Sequence, residues 1–209
     1  MRLNTVWTRT PWLALLVALT TAEPLLWPLP SVTSVGHGEK AVFTNVSFHV
    51  NQTTNLIDKA CMRYTRILNA HQQTMTAVHG PRRLTVRLDI SEVDAPLSPG
   101  QTDESYRIVC DIADECVISS PNQWGTVKGL ETLSQLIEST SGGFLLPAPP
   151  IRIEDAPRFK WRGLMIDTGR NFLTTTTIKM TLDAMAYTKL NVRVGARVRS
   201  KKNTIRNTR

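Results

Sequence analysis

Asp155-Ala156-Pro157-Arg158-Phe159-Lys160-Trp161-Arg162-Gly163-Leu164-Met165-Ile166-Asp167-Thr168-Gly169-Arg170-Asn171-Phe172 is the stretch on which the fold turns. Its centre, Gly163 to Asp167, is a short apolar run of the kind that forms a buried parallel strand. A loop follows. Thr174 to Lys189 then reads as a helix, with Ile178, Leu182 and Met185 in register and Thr174 to Thr177 as candidate N-caps. Leu190-Asn191-Val192 begins a second buried strand. Strand, loop, helix and strand make one βαβ unit. A single such unit leaves sheet edges uncovered, so it is expected to open an α/β barrel.

Upstream of this stretch the periodicities alternate. Ile57, Cys61, Tyr64 and Leu68 fall on one face of a helix from Asn55 to about Asn69. Leu84, Val86, Leu88 and Ile90 then alternate with polar residues, as on a half-buried strand. Tyr106, Ile108, Cys110 and Ile112 alternate again, and Ala113-Asp114-Glu115 turns the chain back into Cys116-Val117-Ile118, a hairpin. Pro121 is expected to open another helix, with Val127, Leu130, Leu133, Leu136 and Ile137 on one side and Gly142-Gly143 ending it. The expected fold is an α+β N-terminal domain over 23–155, an antiparallel sheet with helices on one face, followed over 156–192 by the first βαβ unit of an incomplete (β/α)8 barrel.

The formal net charge of +8 would by itself suggest an acidic partner. Seven of the basic residues, however, lie between Arg193 and Arg209, a stretch without an acid, and the other 18 face 17 acidic residues. The body of the chain is therefore nearly neutral, and no nucleic-acid function is read from it. Residues 193–209 show no apolar period and are expected to form a disordered tail.

At the other end, Arg2 and Arg9 precede the apolar run Trp12 to Leu19, with small residues Thr20 and Ala22 behind it. This pattern reads as a secretory signal peptide over 1–22. The run is about half of the roughly 20 residues a membrane span needs, and no other segment approaches that length. Asn45-Val46-Ser47 and Asn51-Gln52-Thr53 are N-glycosylation acceptor signals, which fit the secretory pathway. Three cysteines, Cys61, Cys110 and Cys116, leave one unpaired if a disulfide forms, and Cys110 and Cys116 are the candidate pair across the hairpin turn. No Cys or His spacing suggests a metal, and no cofactor is expected.

Three blocks give the sequence a family resemblance. They are Leu26-Trp27-Pro28-Leu29-Pro30, the run Trp124-Gly125-Thr126-Val127-Lys128-Gly129-Leu130-Glu131-Thr132-Leu133-Ser134-Gln135-Leu136, and the opening stretch with its continuation Thr181-Leu182-Asp183-Ala184-Met185-Ala186-Tyr187-Thr188-Lys189-Leu190-Asn191-Val192. Together they resemble the β-N-acetylhexosaminidases of glycoside hydrolase family 20. The resemblance implies a lysosomal or extracellular hydrolase that removes terminal N-acetylglucosamine or N-acetylgalactosamine from glycans, and a homo- or heterodimer with full-length hexosaminidase as a candidate assembly. It implies that Arg170 binds hydroxyls of the terminal sugar; from the residues alone, an ion pair with Asp167 is the competing role. It implies substrate-assisted retention, with a Glu as acid and the Asp before it orienting the acetamido group. The family continues after Leu-Asn-Val with Phe-His-Trp-His, where this chain has Arg193-Val194-Gly195.

The chain is thus expected to be a truncated N-terminal portion without the catalytic Asp-Glu pair, inactive by itself. The alternative is a non-catalytic interaction module. Asp103-Glu104 and Asp114-Glu115 are expected to be solvated turn residues, and Glu131 a non-catalytic helix residue.

Overall fold

A computed structural model describes residues 25–69, 82–98, 100–140, 143–170 and 172–196. The expected signal peptide lies outside the described residues. The elements run β1 (Val32–Val35), β2 (Ala41–Phe43), β3 (Asn45–Val50), α1 (Asn55–Asn69), β4 (Arg83–Glu92), β5 (Tyr106–Ile112), β6 (Glu115–Asn122) and α2 (Gln123–Leu136). They continue as β7 (Glu138–Thr140), β8 (Gly143–Leu146), β9 (Ile151–Asp155), β10 (Gly163–Asp167), α3 (Thr175–Tyr187) and β11 (Val192–Ala196).

A six-stranded sheet in the order β1-β9-β5-β6-β4-β3 forms the body of the protein. It is mixed, not antiparallel as expected: β3 pairs with β4, and β4 with β6, in parallel. The cause is α1, which crosses between β3 and β4 and returns the chain in its starting direction. Ile57, Ala60, Tyr64 and Leu68 form the buried face of α1. They join Leu84, Val86, Leu88 and Ile90 of β4 in the core. The β5–β6 hairpin is antiparallel, and Cys110 and Cys116 are joined across it in a disulfide.

α2 begins two residues later than expected. Pro121 belongs to β6, and Asn122 caps the helix by accepting from the backbone N–H groups of Trp124 (3.0 Å) and Gly125 (3.2 Å). The helix ends at Leu136, not at the expected glycine pair: Glu138–Thr140 is already a strand, and Gly143 opens another. α2 lies close on the sheet because Gly129 has no side chain. A Cβ there would stand 2.7 Å from Ile118 Cγ2. A second sheet, β2-β8-β7, adds the stacked rings of Phe43 and Phe144 to the core.

β10, α3 and β11 form a parallel strand-helix-strand unit with Gly163 opposite Val192 and Asp167 opposite Ala196. The second strand therefore runs past the boundary expected at Arg193, because Val194 and its neighbours pair with β10. Residues 197–209, the rest of the expected tail, lie outside the described residues. No described helix is long and apolar enough to cross a membrane.

Candidate functional site

The C-terminal end of β10 is where a parallel strand delivers side chains to a loop. Asp167 is the last strand residue, and its carboxylate shapes the turn behind it. Oδ1 accepts from the backbone N–H groups of Gly169 (2.8 Å) and Arg170 (3.1 Å), while Oδ2 accepts from Arg170 Nε (2.5 Å). The Arg170 side chain is otherwise open, 81% exposed. One edge of its guanidinium is fixed by Asp167, and the two terminal nitrogens remain available to neighbouring acceptors. The hydrogen bond from Arg170, then those from the two backbone N–H groups, hold the Asp167 carboxyl below the usual carboxylate range. Asp167 is therefore a fixed anion that orients its neighbour, the wrong state for a proton donor. Both roles considered for Arg170 fit one geometry: the ion pair uses Nε and leaves the rest free.

At the opposite end of β10 the chain is pinned by buried charge. Arg162, just before the strand, donates from Nη2 to Glu104 Oε2 (2.6 Å), from Nε to the Lys189 carbonyl (3.0 Å) and from Nη1 to the Phe159 carbonyl (2.8 Å). Asn191 Nδ2 donates to the same Glu104 oxygen (3.2 Å), and Lys128 Nζ lies 3.6 Å from the other. Beside this cluster, Lys189 Nζ donates to Tyr106 Oη (2.7 Å) and to Asp155 Oδ2 (3.3 Å), and Tyr106 Oη donates to Asp155 Oδ2 (2.8 Å). Burial pulls Lys128 and Lys189 below the ordinary lysine value despite the nearby carboxylates of Glu104 and Asp155. Tyr106, Lys128 and Asp155 come from the large sheet and α2 and Glu104 from the loop before β5, whereas Arg162, Lys189 and Asn191 flank the elements of the strand-helix-strand unit. A cleft of about 620 Å³ between Trp27, Phe159 and these charges marks the seam.

Residues 26–136 match the family described as beta-acetyl hexosaminidase like, and residues 159–193 match the catalytic domain of glycosyl hydrolase family 20. The chain belongs to the family 20 β-N-acetylhexosaminidases. The mouse beta-hexosaminidase subunit alpha is 31% identical over 202 residues, covering 87% of this chain and 37% of the mouse protein. The beta-hexosaminidase of Emericella nidulans is 40% identical over 108 residues, 51% of this chain and 18% of that relative. Among solved structures, the chitobiase of Flavobacterium johnsoniae superposes with a TM-score of 0.64 at 29% identity, over 85% of this chain and 28% of that one. The chain thus spans little more than a third of the mouse relative.

Within this hexosaminidase chain, the structure places the carboxylates named from sequence as follows. Glu104 is not a solvated turn residue. It is 6% exposed and holds Arg162, whereas its neighbour Asp103 is exposed. Glu115 is half-buried beside Arg87 at 3.0 Å, and Asp114 is exposed beside Arg82. Glu131 is buried on α2 and accepts from Tyr64 Oη (2.8 Å) and Gln135 Nε2 (2.9 Å), a packing role. Sequence reading missed the buried roles of Lys189, Asp155 and Tyr106. The available signal was a lysine directly after the apolar face of α3, with no acid near it in sequence. Cys61 is a free thiol, raised to about 11 first by burial and then by Asp58. Among the described residues, no cluster of His, Cys, Asp or Glu could hold a metal ion.

Proposed function

We propose that this chain carries the N-terminal domain, 23–155, and the opening of the catalytic (β/α)8 barrel, from 156 through β11, of a β-N-acetylhexosaminidase of the secretory pathway, lysosomal or extracellular. Its substrate class is the terminal N-acetylglucosamine or N-acetylgalactosamine of a glycan. The observation that carries the reading is the Asp167–Arg170 turn at the C-terminal end of β10. With Nε held by Asp167, the free nitrogens of Arg170 suit two adjacent ring hydroxyls. In the reaction, the acetamido oxygen of the sugar attacks its own anomeric carbon, a Glu protonates the leaving oxygen, and the Asp before it steadies the acetamido group. The adjacent pairs Asp103-Glu104 and Asp114-Glu115 belong to the N-terminal domain, with Glu104 bound to Arg162 and Glu115 to Arg87, so neither is read as this pair, and the chain by itself is inactive. Relatives named as subunits alpha and beta support pairing with a second hexosaminidase chain.

The test is a chimera joining residues 26–192 to the remainder of the mouse alpha subunit, assayed on 4-nitrophenyl N-acetyl-β-glucosaminide. The chimera hydrolyses the glycoside, and the 209-residue chain alone does not. Arg170→Leu removes two charge-assisted hydrogen bonds of about 1.5–3 kcal/mol each, so kcat/KM falls by at least about 100-fold. An Arg170→Leu chimera with unchanged kcat/KM overturns the sugar-binding role.

A further inference from the structure

The two glycosylation signals look alike in sequence but are not equivalent in the fold. Asn51 follows β3, and its side chain continues the β3–β4 ladder. Its backbone N–H donates to the Leu88 carbonyl (3.2 Å). Its Oδ1 accepts from Ile90 N (3.1 Å), and its Nδ2 donates to the Ile90 carbonyl (3.1 Å) and to Asp89 Oδ1 (3.0 Å). The N–H and C=O of one extended residue point to the same side, so the Asn51 amide meets both groups of Ile90 in a two-bond ring. That ring uses the Nδ2 hydrogen on the same side of the amide bond as Oδ1. A glycan attached to Nδ2 makes a trans secondary amide, which puts the sugar's anomeric carbon in that hydrogen's place. Glycosylated Asn51 therefore loses its bond to the Ile90 carbonyl and drives a carbon atom at it.

Asn45 has no such duty. It opens β3, the terminal strand of the large sheet, and its side chain is exposed with no hydrogen bond among the described residues. Its signal also holds a second clue. Ser47 Oγ, the hydroxyl at the third position, is buried with no hydrogen-bond partner among the described residues. A buried hydroxyl without a partner is costly, so the fold gives no reason for serine over alanine here. A transferase reading Asn-x-Ser in the extended chain does.

We propose that Asn45 carries the N-linked glycan and that Asn51 is unmodified in the folded, exported molecule, because a chain modified there while extended cannot close the Asn51–Ile90 ring on folding; the assignment rests on the secretory routing proposed above. The donor is an oligosaccharide linked through diphosphate to a lipid. Asn45 Nδ2 attacks the anomeric carbon, the N–C bond forms as the C–O bond to diphosphate breaks, the lipid diphosphate leaves, and one Nδ2 proton passes to a base of the transferase. The glycan then covers β3 where, among the described residues, no further strand pairs with it and its backbone groups could template another strand.

The full chain is expressed in a secretory host behind the host's own leader, so the test does not depend on residues 1–22. Enzymatic deglycosylation in heavy-oxygen water marks each glycosylated Asn as a labelled Asp in the peptide map. The expected map of the folded, exported protein shows label at 45 and none at 51. Asn45→Gln abolishes the glycosidase-sensitive mass, and Thr53→Ala, which destroys the second signal without touching Asn51, leaves it unchanged. Label at 51 in the exported protein, or no label at either position, overturns the proposal. Failure of the chimera assay would leave this map unaffected, so the two readings fail separately.

Discussion

Glu104→Gln tests the charged seam most directly. Glu104 and Arg162 are 6% and 14% exposed with 2.6 Å between their nearest atoms, so both charges have left water. The amide keeps the shape of the carboxylate but removes its charge. Arg162 and Lys128 are then both buried beside a neutral group, with Lys128 already strained toward its neutral form by burial. Removing one partner of a buried pair costs about 3–5 kcal/mol. That is a large share of the roughly 5–15 kcal/mol that holds a domain folded. Urea titration followed by tryptophan fluorescence, with Trp27 lining the cleft and Trp161 next to Arg162 in the chain, reads the loss as a lower midpoint. Arg162→Leu with Lys128→Leu in the Glu104→Leu background completes the comparison: the apolar cluster recovers most of the loss, since the desolvation penalty disappears with all three charges. A Glu104→Gln cost below about 1 kcal/mol, the range of exposed ion pairs, would refute the claim that the seam is dry.

Asn122→Ala removes the cap of α2 and its bond to the Asp103 carbonyl (2.7 Å), and is expected to lower stability by about 1–2 kcal/mol by denaturation. Cys61, with its pKa near 11, is expected to react with iodoacetamide at pH 8 on the order of 200-fold more slowly than an ordinary thiol; an ordinary rate would mean the thiol is not buried. The same shift has a defined sign: its contribution to stability is fully present below the ordinary thiol value and is lost as pH rises to about 11. Lys189→Gly relieves a left-handed residue at φ 56°, worth about 1 kcal/mol, but removes the ammonium facing Asp155 and Tyr106. The buried contacts outweigh the relief, so the variant is expected to melt lower than the parent.

The local elements were readable because their signals are local. α1 spans the residues that its apolar spacing marks, β4 follows its alternation, and α3 starts after a threonine cap. Pairing was not readable. β3 carries its own alternation, Val46, Phe48 and Val50, but its parallel partner is reached only across α1. Pro121 misled for a related reason. A proline often opens a helix, yet here it ends an alternating strand and leaves the cap to Asn122. Glu104 shows the wider limit. An Asp-Glu pair in a loop reads as solvated, and what buries it is an arginine 58 residues later. Arg170 is the reverse case: its turn is built by residues within the motif itself, so its geometry follows from the motif once β10 is placed.

The two ends of β10 belong to one argument. The strand is five residues long, about 16 Å, with the buried seam at its start and the Asp167–Arg170 turn at its end. An apolar contact at the start would tolerate a slip of two residues, because alternate positions of a strand share a face. Such a slip would carry Asp167 about 7 Å along the strand axis and take Arg170 away from any fixed sugar position. The bonds from Arg162 do not permit it. Three donors on one planar guanidinium meet Glu104, Lys189 and Phe159 in fixed directions, and Asn191 Oδ1 takes the Arg162 backbone N–H at 3.0 Å. A seam of buried charge is a poor way to gain stability, but it sets register at a strand where register decides where the arginine stands. The large sheet and α2, remote from the proposed sugar site, thereby become part of what positions Arg170.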